Sequence, residues 1–262
     1  MCWESTKPSP PSEDGTDYGN DPVVGSEEVP EEETGEEPTG PCEEWRFGPE
    51  DFSEHIVETI ENAPSPYEAW NGVYTWDSKF NVDVARQDCA ITVTVRLKVE
   101  GTITTEQLNA WKDAIEAKWN GKVIIICEDP ACPAACPAGY SVFINVVYVD
   151  GDEHYVVTAQ TPDATSGGIA GLNGTTGMQG WGVEDVIDIT HEFGHMLGNP
   201  EEYFTTNNFD YTYGGTAQGW RDPNGGIMNN PANDPLPNNY YLIAEKAAAL
   251  MGAGVTARVE SL

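Results

Sequence analysis

Apolar and polar positions alternate most clearly between Phe80 and Val99. Phe80, Val82 and Val84 are interleaved with Asn81 and Asp83, and Ile91, Val93, Val95, Leu97 and Val99 with Thr92, Thr94, Arg96 and Lys98. A period of two puts one face of each segment in a core and the other in water, so two strands are predicted. The period then lengthens: Leu108, Trp111, Ile115 and Trp119 recur at helical spacing. Thr104 and Gln107 form a capping-box pair before that run and Gly121 stops it, which predicts an amphipathic helix packed on the sheet. Short apolar runs at 123–126, 142–149 and 155–158 predict three more strands, with Asp150-Gly151 read as a hairpin turn between the last two. A glycine-rich loop from Gly167 to Gly182 follows. Val183, Val186, Ile187 and Leu197 then mark a second helix, and residues 240–251 a third. The element order gives an α+β, or mixed α/β, fold.

Residues 42–79 stay open on pattern alone. Phe52, Ile56, Val57 and Ile60 fit a helix, whereas the Pro64-Ser65-Pro66 break and the aromatics after it fit irregular packing. Residues 1–41 are rich in Pro, Gly, Ser, Thr and Glu with almost no apolar periodicity, which reads as a disordered acidic tether.

Charge narrows the partners. The 262 residues carry 44 Asp plus Glu against 12 Lys plus Arg, a formal net charge of −32, and residues 1–41 supply only −11 of it. A body this acidic repels a polyanion, so nucleic acid is excluded as a partner. No run approaches the ~18 apolar residues that span a bilayer, and the amino end lacks the layout of a signal peptide. A soluble chain is expected.

The second helix carries His191-Glu192-Phe193-Gly194-His195. Positions i and i+4 lie about 40° apart around a helix and one turn apart along it, so two imidazoles can converge on one metal ion. Zinc suits two neutral imidazoles plus a third ligand with one position left for water. Glu192, beside the first histidine, is placed to take a proton from that water rather than to bind the metal. Gly198 can adopt the left-handed conformation that ends a helix and turns the chain, so that a side chain just beyond reaches the same ion.

The run His191-Glu192-Phe193-Gly194-His195-Met196-Leu197-Gly198-Asn199-Pro200-Glu201 resembles the extended zinc motif of the metzincin metallopeptidases, HExxHxxGxx followed by His or Asp. Gly226-Ile227-Met228-Asn229-Asn230 is similar to the family's Met-turn. The resemblance implies a two-subdomain zincin with a twisted sheet, a backing helix and an active-site helix. Its upper catalytic subdomain would span 80–197, and its lower one 198–262, with the Met-turn and a C-terminal helix. It implies a zinc endopeptidase acting on protein or peptide substrates, with His191 and His195 as ligands, Glu192 as general base and Met228 as structural support. Glu201 stands where the family has His or Asp and is the expected third ligand, with adjacent Glu202 as its competitor. Two asparagines follow Met228 where some relatives place a tyrosine; Tyr203, Tyr211 and Tyr213 are candidates for that place, but tyrosines in a polar loop more often pack or hydrogen-bond, and none is assigned to the site. Two other readings stand beside this one: a non-proteolytic zinc-binding surface protein, and a non-metzincin zinc peptidase using Glu245. The acidic excess also leaves room for structural calcium, which many relatives carry.

Of the six cysteines, Cys2 at the head of a polar tether looks like the lipid-bearing cysteine of a mature bacterial lipoprotein, set against an accidental cysteine after a start codon. Lipid there would be the protein's only link to a membrane. Cys132–Cys136 and Cys89–Cys127 are the expected disulfides, and disulfides would place the chain outside the cytoplasm, in a bacterial envelope or secreted. Cys42 raises a latency reading, since some metzincins are held inactive by an N-terminal cysteine on the zinc.

Overall fold

A computed structural model describes residues 42, 45–63, 65, 68–161, 177–202, 207–209, 212–213, 216–217 and 225–262. The tether, with Cys2, lies outside them, as do Tyr203, Tyr211, the side chain of Tyr213 and most of the glycine-rich loop. Residues 38–262 form one compact unit. Its elements run β1 (Arg46–Ile60), β2 (Gly72–Ala85), β3 (Ala90–Gly101), α1 (Thr105–Trp119), β4 (Val123–Glu128), β5 (Tyr140–Tyr148), β6 (Tyr155–Gln160), β7 (Gly180–Gly182) and α2 (Val186–Met196). After them come β8 (Asn207–Phe209), β9 (Thr212–Tyr213), β10 (Thr216–Ala217), a 3-10 turn (Pro237–Tyr240), α3 (Tyr241–Met251) and β11 (Thr256–Ser261).

Among the described residues nine strands make one mixed sheet, in the order β11-β4-β5-β3-β2-β1-β8, with β6 on β3 and β7 on β6. The mixed α/β class is as the sequence predicts. β2 and β3 alternate as expected: Phe80, Val82, Val84, Ile91, Val93, Val95 and Leu97 are fully buried. α1 begins with the predicted capping box, Thr104 Oγ1 accepting from Gln107 N and Gln107 Oε1 from Thr104 N. It buries Trp111, Ile115 and Trp119. α1 packs on β5, α2 on β2, and α3 on β1, β2 and β11, so the core lies between the helices and one face of the sheet. The opposite face carries charge, including the Asp51 carboxylate bridged to Arg96 and Arg46 bridged to Asp83.

The described residues of the open segment 42–79 belong chiefly to two long paired strands. β1 pairs antiparallel with β2 from Arg46 opposite Ala85 to Ile60 opposite Gly72. Ile56, Glu58 and Ile60 all face inward, a period of two that the apolar spacing of Phe52, Ile56, Val57 and Ile60 conceals.

The predicted hairpin at Asp150-Gly151 does not form. β5 and β6 both run parallel to β3 and pair with it, not with each other. Val149 N–H donates to Leu97 O and His154 N–H to Arg96 O, neighbouring carbonyls that point to opposite edges of the strand. The connection therefore crosses β3, and Arg96 Nε donates to Asp152 O at 2.6 Å beneath it.

The disulfides also differ from the expected pairs: they join Cys42 to Cys132 and Cys89 to Cys136, with Cα separations of 5.1 and 5.4 Å. The parallel register of β3 and β5 sets Ala90 opposite Ser141 and bonds Ser141 N to Cys89 O, which brings Cys89 to the residues leading into β5. Cys127 sits in β4, where Ala257 is its partner, and its thiol is free. Cys42 is thus committed to a disulfide, and latency through its thiol is overturned. Burial pushes the Cys127 thiol up to about 12. Non-reducing peptide mapping should return Cys42–Cys132 and Cys89–Cys136, with Cys127 alkylated readily only after unfolding; a Cys132–Cys136 peptide would refute this pairing.

Candidate metal centre

α2 ends where the sequence places its stop. Gly198 has φ +92°, Gly198 N–H donates to His195 O at 3.0 Å, and Asn199 N–H donates to Gly194 O at 3.1 Å. These are the two bonds of a Schellman cap. A Cβ at Gly198 would also run into Leu242 Cδ2, so the position excludes larger residues on two counts. Side chains of the sheet also bond the carbonyls at this end of α2. Trp76 Nε1 donates to His195 O at 2.8 Å, Ser78 Oγ to Met196 O at 2.7 Å and Tyr155 Oη to Met196 O at 2.9 Å. Side chains from β2 and β6 thereby fix the helix end that carries the motif.

Beyond this turn Glu201 swings back to the helix. Its Oε2 lies 3.4 Å from His191 Nε2 and its Oε1 3.3 Å from His195 Nε2. One ligand atom from each of the three residues falls within 4.8 Å of the others. All three, and Glu192, are at most 4% exposed. The far ring nitrogens are already engaged: His191 Nδ1 bonds Ile227 O at 2.8 Å and His195 Nδ1 bonds Asn199 O at 2.7 Å. A carbonyl only accepts, so both Nδ1 atoms carry hydrogen in the neutral rings and both Nε2 lone pairs face Glu201. Metal-binding histidines are typically held this way, and the donor set of two imidazoles and one carboxylate fits a divalent cation.

The charges are mutually adjusted. Burial alone would raise Glu201, but the two imidazoles outweigh it and hold the carboxyl well below its usual range. Burial alone would lower His191 and His195, but Glu201 outweighs it and raises both. The carboxylate thus favours positive charge on the imidazole side, which a proton or a divalent cation supplies. Glu192, on the same helix, is pushed up to about 7 by burial, against the pull of both histidines.

The chain matches no protein-family model, no curated protein and no solved structure. The metzincin resemblance therefore stands on the motif and turn residues themselves.

Glu202 is engaged elsewhere. Its Oε1 accepts from Asn238 Nδ2 at 2.9 Å and Asn239 Nδ2 at 3.4 Å, and its N–H donates to Met228 O at 3.0 Å. Glu245 lies on α3 beside Lys246 and is not part of the cluster. Met228 is fully buried in the turn that supplies Ile227 O to His191, and its sulfur packs on Gly194 between the two histidines. Among the described residues, the His191, His195 and Glu201 group is the only one of its kind, so no calcium-type carboxylate cluster accompanies it.

Sequence reasoning missed the hairpin's part in the site. Glu58 is fully buried and its Oε2 accepts Glu201 N–H at 3.3 Å. Tyr74, opposite Glu58 in the β1–β2 register, is raised first by burial and then by the charges of Glu58 and Glu201. A glutamate between Ile56 and Ile60 on the inward face of a strand was the available signal. For Trp76 and Ser78 nothing in the sequence announces that they meet α2.

Proposed function

We propose that the protein is a zinc-dependent endopeptidase of metzincin type, acting on proteins or peptides, with its substrate cleft between residues 80–197 and 198–262. One observation carries this reading: His191, His195 and Glu201 converge in a buried cluster while Glu192, on the same helix, stays out of the ligand set. A site that only stores or displays zinc has no use for that fourth group.

Zinc, when bound, supplies Lewis acidity toward a peptide carbonyl and makes a coordinated water a stronger acid. The chain does the rest. Ile227 O and Asn199 O hold the imidazoles with Nε2 toward the cation. Glu201 supplies the third ligand atom and the negative charge. Glu192 accepts the proton of the attacking water and returns it to the leaving amine. The buried surroundings limit competing solvent.

The two disulfides fit an oxidising compartment, and among the described residues no helix is long and apolar enough to cross a membrane. An extracytoplasmic protein, secreted or held on a bacterial envelope by lipid on Cys2, is the matching location.

Hydrolysis of denatured casein, with zinc content by elemental analysis, tests the reading. One zinc per chain, cleavage that stops on chelation and cleavage that returns with added zinc are expected. A folded chain that takes up no zinc would overturn it.

A further inference from the structure

Glu58 occupies a position where the strand pattern calls for an apolar residue. It lies on β1 between inward-facing Ile56 and Ile60 and is fully buried. A buried carboxylate is costly unless it has a partner that needs it. One of its contacts lies 143 residues away in sequence, the backbone N–H of Glu201 at 3.3 Å.

Glu201 needs such a hold. It follows Gly198 and Pro200, past the end of α2, so no helical hydrogen bond fixes its backbone. Its side chain has one more rotatable bond than an aspartate, and each loose torsion in a ligand weakens binding. Glu58 also adds a second buried carboxylate beside the first. That added negative charge favours a cation at the cluster.

We propose that Glu58 is a positioning residue for the metal site, a reading that rests on the zinc assignment above. Its carboxylate holds the backbone of Glu201 so that the ligand oxygen reaches both histidines, and its charge tunes the site toward a divalent cation. The N-terminal hairpin is thereby part of the metal centre rather than a separate appendage.

The test uses the full-length chain as wild type, Glu58→Gln and Glu58→Ala. Glutamine keeps an oxygen that accepts the Glu201 N–H and removes the charge, whereas alanine removes both. Zinc dissociation constants are measured by competition with a chromophoric chelator, and melting temperatures are recorded in chelator and in saturating zinc. Wild type should bind one zinc, and the variants should bind it about 10- to 100-fold more weakly, alanine most so. In chelator, Glu58→Gln should melt no lower than wild type, because it relieves repulsion with Glu201. Wild-type zinc affinity in Glu58→Gln together with a lower melting temperature in chelator would make Glu58 a structural residue only and overturn the proposal. Should alanine fail to fold, the glutamine variant decides. A wild type that binds no zinc overturns the zinc reading itself and the Glu58 role with it, an outcome visible before any variant is compared.

Discussion

Glu192→Gln is expected to lower hydrolysis of an unfolded protein substrate by about 10²- to 10⁴-fold, the contribution of a positioned proton acceptor. Zinc should remain at one per chain, because Glu192 is not in the ligand cluster. The substitution keeps the size and shape of the side chain, so packing around a residue only 4% exposed is preserved. Nor does it break a hydrogen bond at Oε2, which has none among the described residues. A carboxylate buried on a helix without such a bond is a poor choice for stability alone, since the two histidines only partly offset its desolvation. That cost is reasonable if the oxygen serves a reacting molecule. Initial rates, zinc content and melting temperature on the same preparations separate the two roles. Undiminished hydrolysis with zinc bound would remove Glu192 from the mechanism.

The centre was legible in the sequence to the extent that local geometry decides it. Spacing of i and i+4 on a helix is fixed by backbone hydrogen bonds, so the His191 and His195 pair could be placed without tertiary information. Gly198 likewise carries its own conformational argument. Glu201 and Glu202 are adjacent and chemically identical; motif position favours Glu201, and the fold shows what separates them. Asn238 and Asn239, in the 3-10 turn before α3, draw Glu202 away, while Glu58 accepts from the backbone N–H of Glu201.

Where partners are distant, the pattern misleads. Asp150-Gly151 is a sound local turn signal, but β3 offers both strands a parallel pairing and the turn becomes a crossing. Proximity in the loop favoured Cys132 with Cys136, yet strand register sets Cys89 beside Cys136 and leaves Cys132 for Cys42. In β1, an inward glutamate hid a strand. The feature that broke the expected alternation is the one that touches the candidate site, which is where local rules are expected to fail.

The second large effect concerns the seam between α2 and the turn at Gly226–Asn230. A Cβ placed on Gly194 would overlap Met228 Sδ and stand 3.1 Å from Trp119 Cζ2. Trp119 is pinned by its own bond from Nε1 to Thr190 O at 3.0 Å, and Tyr240 Oη donates to Trp119 O. Trp119 cannot yield easily and Met228 is fully buried, so Gly194→Ala should press the helix off the turn at a cost of about 1–3 kcal/mol. For a unit of this size that is a melting temperature lower by roughly 3–10 °C. The same shift separates His191 from Ile227 O, so zinc affinity should fall too. Met228→Ala alone should cost about 2–5 kcal/mol by leaving a cavity against the helix. Combined, the two substitutions should be cheaper than their sum by at least about 1 kcal/mol, because the new methyl enters the space the sulfur has left. Denaturant unfolding of wild type, both single variants and the double variant, all in chelator, closes the cycle. Additivity within about 0.5 kcal/mol would mean that Gly194 and Met228 do not meet, and that the turn supports the motif helix by some other contact.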